Sequence, residues 1–448
     1  MSSLLKPMTE KPSIINDYIN ITHEYINKFG PKTILLMQVG AFFEMYGLKT
    51  TNSSVYKGSN IEDICNICEL NISDKHIVVD GENVYMAGVR DYVLDKYLTK
   101  IVDAGYTAVI YIQIKNGNNV SRELYNIVSP GTYINYDTET SNVISNNTVC
   151  VWMDKQRDFK SKKEYIIYGV SVIDIYTGKT YLFEYQCPYI LNPTTFDELE
   201  RCFSVFSPNE VIFISPFQDS TSDTILQFVG CNARTIHKFN TEHNIVSIKN
   251  CESQKYIREI ISHFFGEESY DNCTEFSEYT LATQSFCFLL NFVGEHNCHL
   301  TKNIEIPSFK NTSTRTILAN HTLKQLNIIN DTINGNYGKI SSVSSFLNCA
   351  CSPMGKRLMN YQLLNPCFDE QWLNKEYDII EFTRPKQNLI DNIRCNIKSI
   401  RDIEKIMRQL VIKRLYPNSI FHLYNSISKI HSVYKLCSEE PSIINYAI

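Results

Sequence analysis

No stretch of this 448-residue chain approaches 18 consecutive apolar residues, so nothing in it reads as a membrane-spanning helix. The opening Met1-Ser2-Ser3-Leu4-Leu5-Lys6-Pro7 also lacks the apolar run of a secretory signal. An excess of basic charge is missing too: the formal net charge is −5, which argues against a general nucleic-acid sticker, since phosphate binding gathers Lys and Arg into a basic face. The 15 cysteines are scattered singly or in irregular pairs, without the regular framework of a disulfide-stapled secreted domain. Together these absences predict a reducing, intracellular setting without a membrane span.

Complete catalytic signatures are equally scarce. Gly178-Lys179-Thr180 has the ending of a phosphate-binding loop, but Ile173 stands where its first glycine is required. Gly338-Lys339 has Ile333 in place of the first glycine and Ile340 in place of the Ser or Thr that holds Mg²⁺. Cys65-Asn66-Ile67-Cys68 is a lone pair with no second pair at zinc-site spacing. Asp174, in the first strand of a hairpin, and Glu184, on the next strand, resemble the leading acids of a ribonuclease-H-like nuclease. That chemistry needs several acids converging on two metals, and no third follows; the spacing favours Asp174 as the cap of its own turn. No catalytic residue and no metal site are therefore assigned.

What the sequence does contain is a clear change of texture along its length. Residues 1–12 read as a flexible tail. Over 13–134 helices and strands alternate: a helix from Ile14 to Phe29, a strand from Thr33 to Val39, a helix over 61–72, a strand at Val84–Ala87, a helix at Leu94–Ala104 and a strand at Thr107–Ile114. This is an α/β pattern. Residues 135–147 have linker composition. From 148 to 270 come strands at Thr148–Met153, Tyr165–Tyr176 and Lys179–Tyr185 with a Thr177-Gly178 turn, then a helix at Phe196–Phe206 and a strand at Glu210–Ile214. Residues 271–448 read as all-helical, through Glu275–Glu295, Leu318–Asn330, Ser341–Leu363, Asp369–Thr383, Lys386–Arg414 and Asn418–Cys437.

The most informative segment is Gly40-Ala41-Phe42-Phe43-Glu44-Met45-Tyr46-Gly47, an aromatic turn that follows the apolar strand. An aromatic pair there serves either as core packing or as a wedge for a base stack, with Gly40 giving the backbone freedom to present Phe42. Lys356-Arg357, and Lys405, Arg408, Lys413 and Arg414 on one helical surface, are the candidates for phosphate contact. A solvated helix face accounts for them equally well.

The order of segments resembles the MutS family of DNA mismatch-repair proteins. Gly40-Ala41-Phe42-Phe43-Glu44 is similar to the family's G-D-F-Y-E motif, with Ala41 for Asp and Phe43 for Tyr. Met86-Ala87-Gly88, Tyr97-Leu98, Gly105 and Gln113 are similar to M-A-G…Y-L…G…E-Q, although Ile112 replaces Glu and the F-P-x-H segment is not kept. Arg122, Val128, Pro130, Gly131 and Thr132 resemble the exit from that domain. Ser207-Pro208-Asn209-Glu210-Val211 resembles a connector-domain segment, and Pro353-Met354-Gly355-Lys356-Arg357-Leu358 with Asp402-Ile403-Glu404-Lys405 resembles two core-domain blocks.

The resemblance implies an α/β mismatch-recognition domain, a ribonuclease-H-like connector without nuclease activity, and a helical core domain that is incomplete. It implies Phe42 as the wedge and Glu44 as the partner of a displaced base edge, supported by Gly40, Phe43, Met86 and Gly88. The implied ligand is double-stranded DNA with mismatches or small loops. Implied protein partners are an ATPase-bearing MutS-like chain or a second copy, and a downstream repair protein at the connector. The family's clamp and ATPase regions find no match here, so ATP and Mg belong to full-length members and this chain alone is expected not to be an enzyme. An adaptor that binds repair partners through connector and core helices without sensing lesions is the alternative.

Overall fold

In the computed structural model, which describes residues 13–50, 55–116, 119–134, 144–157, 162–243, 245–309, 318–328, 341–413 and 415–447, the first unit is built on a sheet covered on both faces. The expected tail over 1–12, linker residues 135–143, Gly338-Lys339 and Arg414 lie outside the described residues. Its elements are α1 (Ser13–Phe29), β1 (Thr33–Val39), β2 (Phe42–Lys49), α2 (Ile61–Cys68), β3 (Ser73–Val79), β4 (Glu82–Arg90), α3 (Leu94–Asp103), β5 (Thr107–Asn116) and β6 (Asn119–Val128). The strand order is β3-β4-β2-β1-β5-β6, with β1 and β5 parallel and the other neighbours antiparallel. β1 reads as an unbroken apolar run because both its faces are covered. Leu35 and Met37 face the core that α1 shares, whereas Ile34 and Leu36 pack with α2 and α3. Strands β2, β3 and β6 were not expected: β2 follows β1 after a two-residue turn and is buried over Phe43–Gly47, whereas β3 and β6 carry polar residues on partly exposed faces.

The second unit comprises β7 (Asn147–Arg157), β8 (Glu164–Asp174), β9 (Thr180–Pro188), α4 (Asp197–Phe206), β10 (Glu210–Ser215), α5 (Asp219–Phe228), β11 (Thr235–Asn240), α6 (Val246–Glu252), α7 (Gln254–Phe265), α8 (Ser269–Asn272), α9 (Glu275–Glu278), α10 (Thr280–His296) and β12 (Ser308–Phe309). The sheet order is β11-β10-β7-β8-β9-β12. Strands β7, β8 and β9 form an antiparallel meander, while β10 runs parallel to β7, β11 to β10 and β12 to β9. Phe196, Leu199 and Ile225 cover one face, and α10 covers the other, with Phe288 edge-on to Trp152 at 6.4 Å.

This corrects the expected domain boundary at 270/271. The helix expected over Glu275–Glu295 belongs to the second sheet, and the β12 pairing carries that unit to Phe309. A helix buried on nearly every side belongs in a core, and α10 is one. Its N-terminus rests on β8 at Gly169, where an added Cβ would lie 2.1 Å from the Ala282 nitrogen. Glu184 supplies the cap from outside the helix, its Oε2 accepting from the Leu281 and Ala282 amides at 2.8 and 3.0 Å.

The remainder is helical: α11 (Asn320–Gln325), α12 (Val343–Leu347), α13 (Pro353–Leu364), α14 (Glu370–Thr383), α15 (Gln387–Lys398), α16 (Ile403–Val411), α17 (Pro417–Ser438) and α18 (Pro441–Ala447). Two helices expected to be continuous are divided. Ser341–Leu363 breaks where Ser352 caps α13 by accepting from the Gly355 amide at 3.2 Å, with Pro353 in the first turn. Lys386–Arg414 breaks where Asp402 caps α16. Polar caps are easily mistaken for a polar helix face, which is why periodicity alone joined them.

Two ionic junctions, the first buried and the second partly exposed, tie the parts together. Glu210 is fully buried: its Oε1 meets His237 Nε2 at 2.7 Å, and its Oε2 accepts from Ser129 Oγ at 2.5 Å and the Gly131 amide at 2.9 Å. At the second, Arg357 on α13 donates to both Asp402 oxygens at 2.7 and 2.8 Å, to Glu404 Oε2 at 2.5 Å and to the Ile144 carbonyl at 2.8 Å. Lys179, in the β8–β9 turn, reaches Glu404 Oε1 at 3.1 Å. Arg408 donates to the carbonyls of Leu300 and Lys302, and Lys405 Nζ stands 4.4 Å over the Tyr176 ring.

The first junction makes stability depend on acid. Burial alone would raise the Glu210 carboxyl, but the His237 hydrogen bond and charge outweigh it and hold the group below its ordinary value. Burial holds buried His296 below its ordinary 6.5. Both groups therefore stabilise the fold fully above their unfolded values and lose that contribution as pH falls through the folded ones. Urea denaturation should give a midpoint that declines first below about pH 6.5 as His296 must take a proton, then again in the carboxylate range. Glu210→Ala should lower stability by about 3–5 kcal/mol at neutral pH, because the buried donors of Ser129, Gly131 and His237 lose their shared acceptor at about 1–3 kcal/mol for each group left unsatisfied.

Candidate nucleic-acid interface

The β1–β2 hairpin closes through Gly40 and Ala41 alone. Gly40 sits at φ +63°, in the left-handed region that glycine enters most cheaply. Its amide donates to Gln113 Oε1 at 3.0 Å, the Gln113 amide donates to Gln38 Oε1 at 2.9 Å, and Arg122 Nε donates to the Gln38 carbonyl at 3.0 Å. On the other side the Asp91 amide donates to the Ala41 carbonyl at 3.0 Å. The aromatic turn expected over 40–47 is thus a tight hairpin turn followed at once by strand β2, whose period of two separates its neighbours.

Phe42, Glu44 and Tyr46 share one face of β2; Phe43 and Met45 take the other, where they join the core under α2 and α3. Phe42 is 41% exposed and Phe43 only 6%. Tyr18 of α1 covers Tyr46 edge-on at 5.0 Å, while Phe42, at the start of the strand, stays open. Directly opposite it in register is Arg90, whose guanidinium carbon lies 5.5 Å from the Phe42 ring centre.

Glu44 is buried beside this ring. Its Oε2 accepts from Tyr46 Oη at 2.5 Å and from Lys75 Nζ at 2.9 Å, and Lys75 also donates to Tyr46 Oη at 3.1 Å. The ammonium stands 4.5 Å over the Tyr46 ring. Burial, reinforced by the hydrogen bond to Glu44, pushes the Tyr46 phenol well up. Gly88 faces Glu44 across β4, and a Cβ there would come within 3.0 Å of the Phe43 carbonyl and 3.4 Å of Glu44 Cγ. Half-buried Met86 pairs with Tyr46. Gly40, Phe42, Phe43, Glu44, Met86 and Gly88 therefore meet at one end of the first sheet.

Three residues of this end were missed in the sequence: Lys75, Arg90 and Tyr46. Period two along Met86-Ala87-Gly88-Val89-Arg90 was sufficient to set Arg90 on the face of Gly88. Lys75 had no such signal, because the β3–β4 register shifts between Asp74 and Val78 and His76 has a left-handed φ of 55°.

The other candidates are dispersed. Lys356 is exposed in the first turn of α13, but Arg357 is committed to Asp402 and Glu404 and is corrected from a phosphate contact to a structural ion pair. Lys405 and Arg408 are buried at the same junction, so α16 is no basic surface. Asp174 accepts from the Asn146 and Tyr176 amides, each at 3.0 Å, and from Thr177 Oγ1 at 2.9 Å, while Glu184 caps α10. Burial pushes both carboxyls up. Gly178 closes the β8–β9 turn at φ +81°. Cys65 and Cys68 are core residues whose thiols burial raises to about 11. Among the described residues no group of His, Cys, Asp and Glu is arranged to hold a metal, and no helix is long and apolar enough to cross a membrane.

Comparison with known proteins gives matches over both ends of the chain. The family model described as MutS domain I matches residues 16–137, and that described as MutS domain III matches residues 321–445. A DNA mismatch repair protein mutS homolog of Acanthamoeba polyphaga mimivirus is 26% identical over 95% of this chain and 40% of its own length. The DNA mismatch repair protein MutS of Borreliella burgdorferi is 23% identical over 94% of this chain and 43% of its own. That of Clostridioides difficile is 24% identical over 94% and 39%. The chain thus spans about two fifths of the length of these relatives.

Adjacent in sequence, the two phenylalanines should separate sharply in stability measurements. Phe43→Ala should cost about 3–5 kcal/mol, the usual loss for a buried ring, whereas Phe42→Ala should stay within about 0.5 kcal/mol. Urea titration of the two variants reads the difference directly.

Proposed function

We propose, because this chain belongs to the MutS family of DNA mismatch-repair proteins, that it binds duplex DNA at mispaired or unpaired bases and kinks it there with Phe42. The observation that carries this reading is an exposed ring at the rim of a rigid sheet, beside a cation and a buried carboxylate. A mispaired step stacks poorly and costs less to open than a normal one, so an inserted apolar wedge gains most at a lesion. Stacking on an aromatic side chain tolerates any base, which suits a sensor of many mismatches. Arg90 lies close enough to meet a phosphate beside the opened step, and Glu44 to meet the edge of the displaced base. Selectivity then follows from deformability, and a chain of net charge −5 needs no extended basic face to achieve it.

The strand order β9-β8-β7-β10-β11, an antiparallel meander followed by two parallel strands, supports a ribonuclease-H-like reading of the second unit. With Asp174 and Glu184 engaged by backbone amides, that unit is read as a connector without nuclease chemistry. ATP and Mg would act on a separate, ATPase-bearing MutS-like chain or on a longer parent chain, a second copy would serve only as a binding partner, and a downstream repair protein would meet the connector. The scattered thiols and the DNA ligand suit a reducing, intracellular setting.

The adaptor reading has an observation of its own. Ile420, Tyr424, Ile427 and Tyr434 form an exposed apolar stripe along α17, suited to a protein partner. Fluorescence anisotropy with G·T, unpaired-thymine and fully paired duplexes separates the two. The full chain should prefer the lesion duplexes, and Phe42→Ala should reduce that preference by roughly 5- to 150-fold, the equivalent of about 1–3 kcal/mol of stacking. Undiminished preference in Phe42→Ala would sink the wedge, and no preference in the unaltered chain would favour the adaptor.

A further inference from the structure

Glu44 has two carboxylate oxygens, and the structure uses them unequally. Both hydrogen bonds from protein, those of Tyr46 Oη and Lys75 Nζ, arrive at Oε2, and among the described residues none is made to Oε1. The Lys75 ammonium is fixed in its turn. It bridges Glu44 and the Tyr46 hydroxyl while standing over the Tyr46 ring, and its side chain is about a quarter exposed. A planar carboxylate gripped at one oxygen by two donors has one orientation, with the second oxygen aimed away from both. Because Glu44 lies two residues from Phe42 on the same strand face, that second oxygen belongs to the surface that carries the exposed ring.

We propose that Lys75 is a positioning residue and specificity determinant: by holding Oε2 it presents Glu44 Oε1 as a fixed acceptor for the imino or amino N–H of a displaced base. This rests on the lesion-binding reading above, in which Glu44 meets the displaced base edge, and adds the residue that orients it. An ion-paired carboxylate offers lone pairs and no proton, so it rewards bases that bring a donor, such as the N3–H of thymine or the N1–H of guanine. The ion pair also limits the repulsion that an isolated carboxylate would meet among phosphates. Lys75 does not touch the base in this scheme; it acts through Glu44. A site built to accept a hydrogen bond discriminates because its acceptor is left unpaired when the donor is missing.

The test compares an unpaired thymine with its 2,4-difluorotoluene isostere, which keeps the shape of thymine and lacks the N3–H. Binding of each duplex, relative to the fully paired one, is measured for the unaltered chain and for Lys75→Met, Lys75→Arg and Glu44→Ala. The unaltered chain should favour thymine over the isostere by about 10-fold, within the range of a charge-assisted hydrogen bond. Lys75→Met and Glu44→Ala should bring that ratio close to 1 while the preference for lesion over paired duplex persists through Phe42. Lys75→Arg should restore most of the ratio, which a loss of folding in Lys75→Met would not predict; thermal melting of each variant checks folding separately. A 10-fold ratio retained in folded Lys75→Met overturns the positioning role. Equal binding of thymine and isostere by the unaltered chain overturns the acceptor itself and leaves the wedge standing. Absence of any lesion preference in the unaltered chain is instead the failure of the wedge reading.

Discussion

A single buried carboxylate fixes how the two sheets meet. Glu210 stands at the start of β10, and three of its hydrogen-bond donors come from two different units: Ser129 and Gly131 from the exit of the first, His237 from the neighbouring strand of the second. Removing such a charge from water is expensive, and the expense is offset only while every donor keeps its place. Rotation of one unit against the other would strand the charge, so the junction acts as a geometric constraint as well as a source of stability. Around it the apolar contacts follow suit: Phe29 of α1 meets Phe292 at 6.5 Å and His296 at 4.9 Å. Arg357 repeats the device where the helical region meets the second unit, using Asp402, Glu404 and the Ile144 carbonyl.

These junctions explain why some residues resemble functional ones in sequence. A surface lysine or arginine and a buried one look alike without their partners. Arg357, Lys405 and Arg408 sit in stretches that read as basic, and the acids that pair with Arg357 and the carbonyls that accept from Arg408 come from more than 40 residues away. Asp174 was legible as a turn cap because its partners are local. Glu184 was not, since the amides it caps lie 97 and 98 residues downstream. Long-range partners define what a charged group does, and sequence spacing carries little of that information.

Much of the architecture was nevertheless legible. The apolar periodicities of α1, α3, β1 and β5 are strong, and the change from alternation to long helical patterns marks the helical region correctly in kind. Its start was set too early because α10 has helical periodicity while its partner is a sheet. At the candidate interface the family resemblance singled out Phe42 and Glu44, and the structure separates Phe42 from Phe43 by strand parity alone. Tyr46, Lys75 and Arg90 enter only when β2, β3 and β4 are laid side by side. Paired strands assemble such clusters from residues that share no local motif.

The mounting of Phe42 has a mechanical consequence. Its backbone is the first residue of a strand paired on both sides, opposite Val39 and Arg90, and the turn before it is pinned by Gln113 and the Asp91 amide. A ring carried on a loose loop would recoil on contact, spreading a push over many soft torsions. Here recoil would break ladder hydrogen bonds in a sheet backed by helices on both faces. If this rim meets DNA as proposed, the compliance of the encounter resides in the other body: the protein side would be the stiff probe, and the duplex would be graded by how readily it yields.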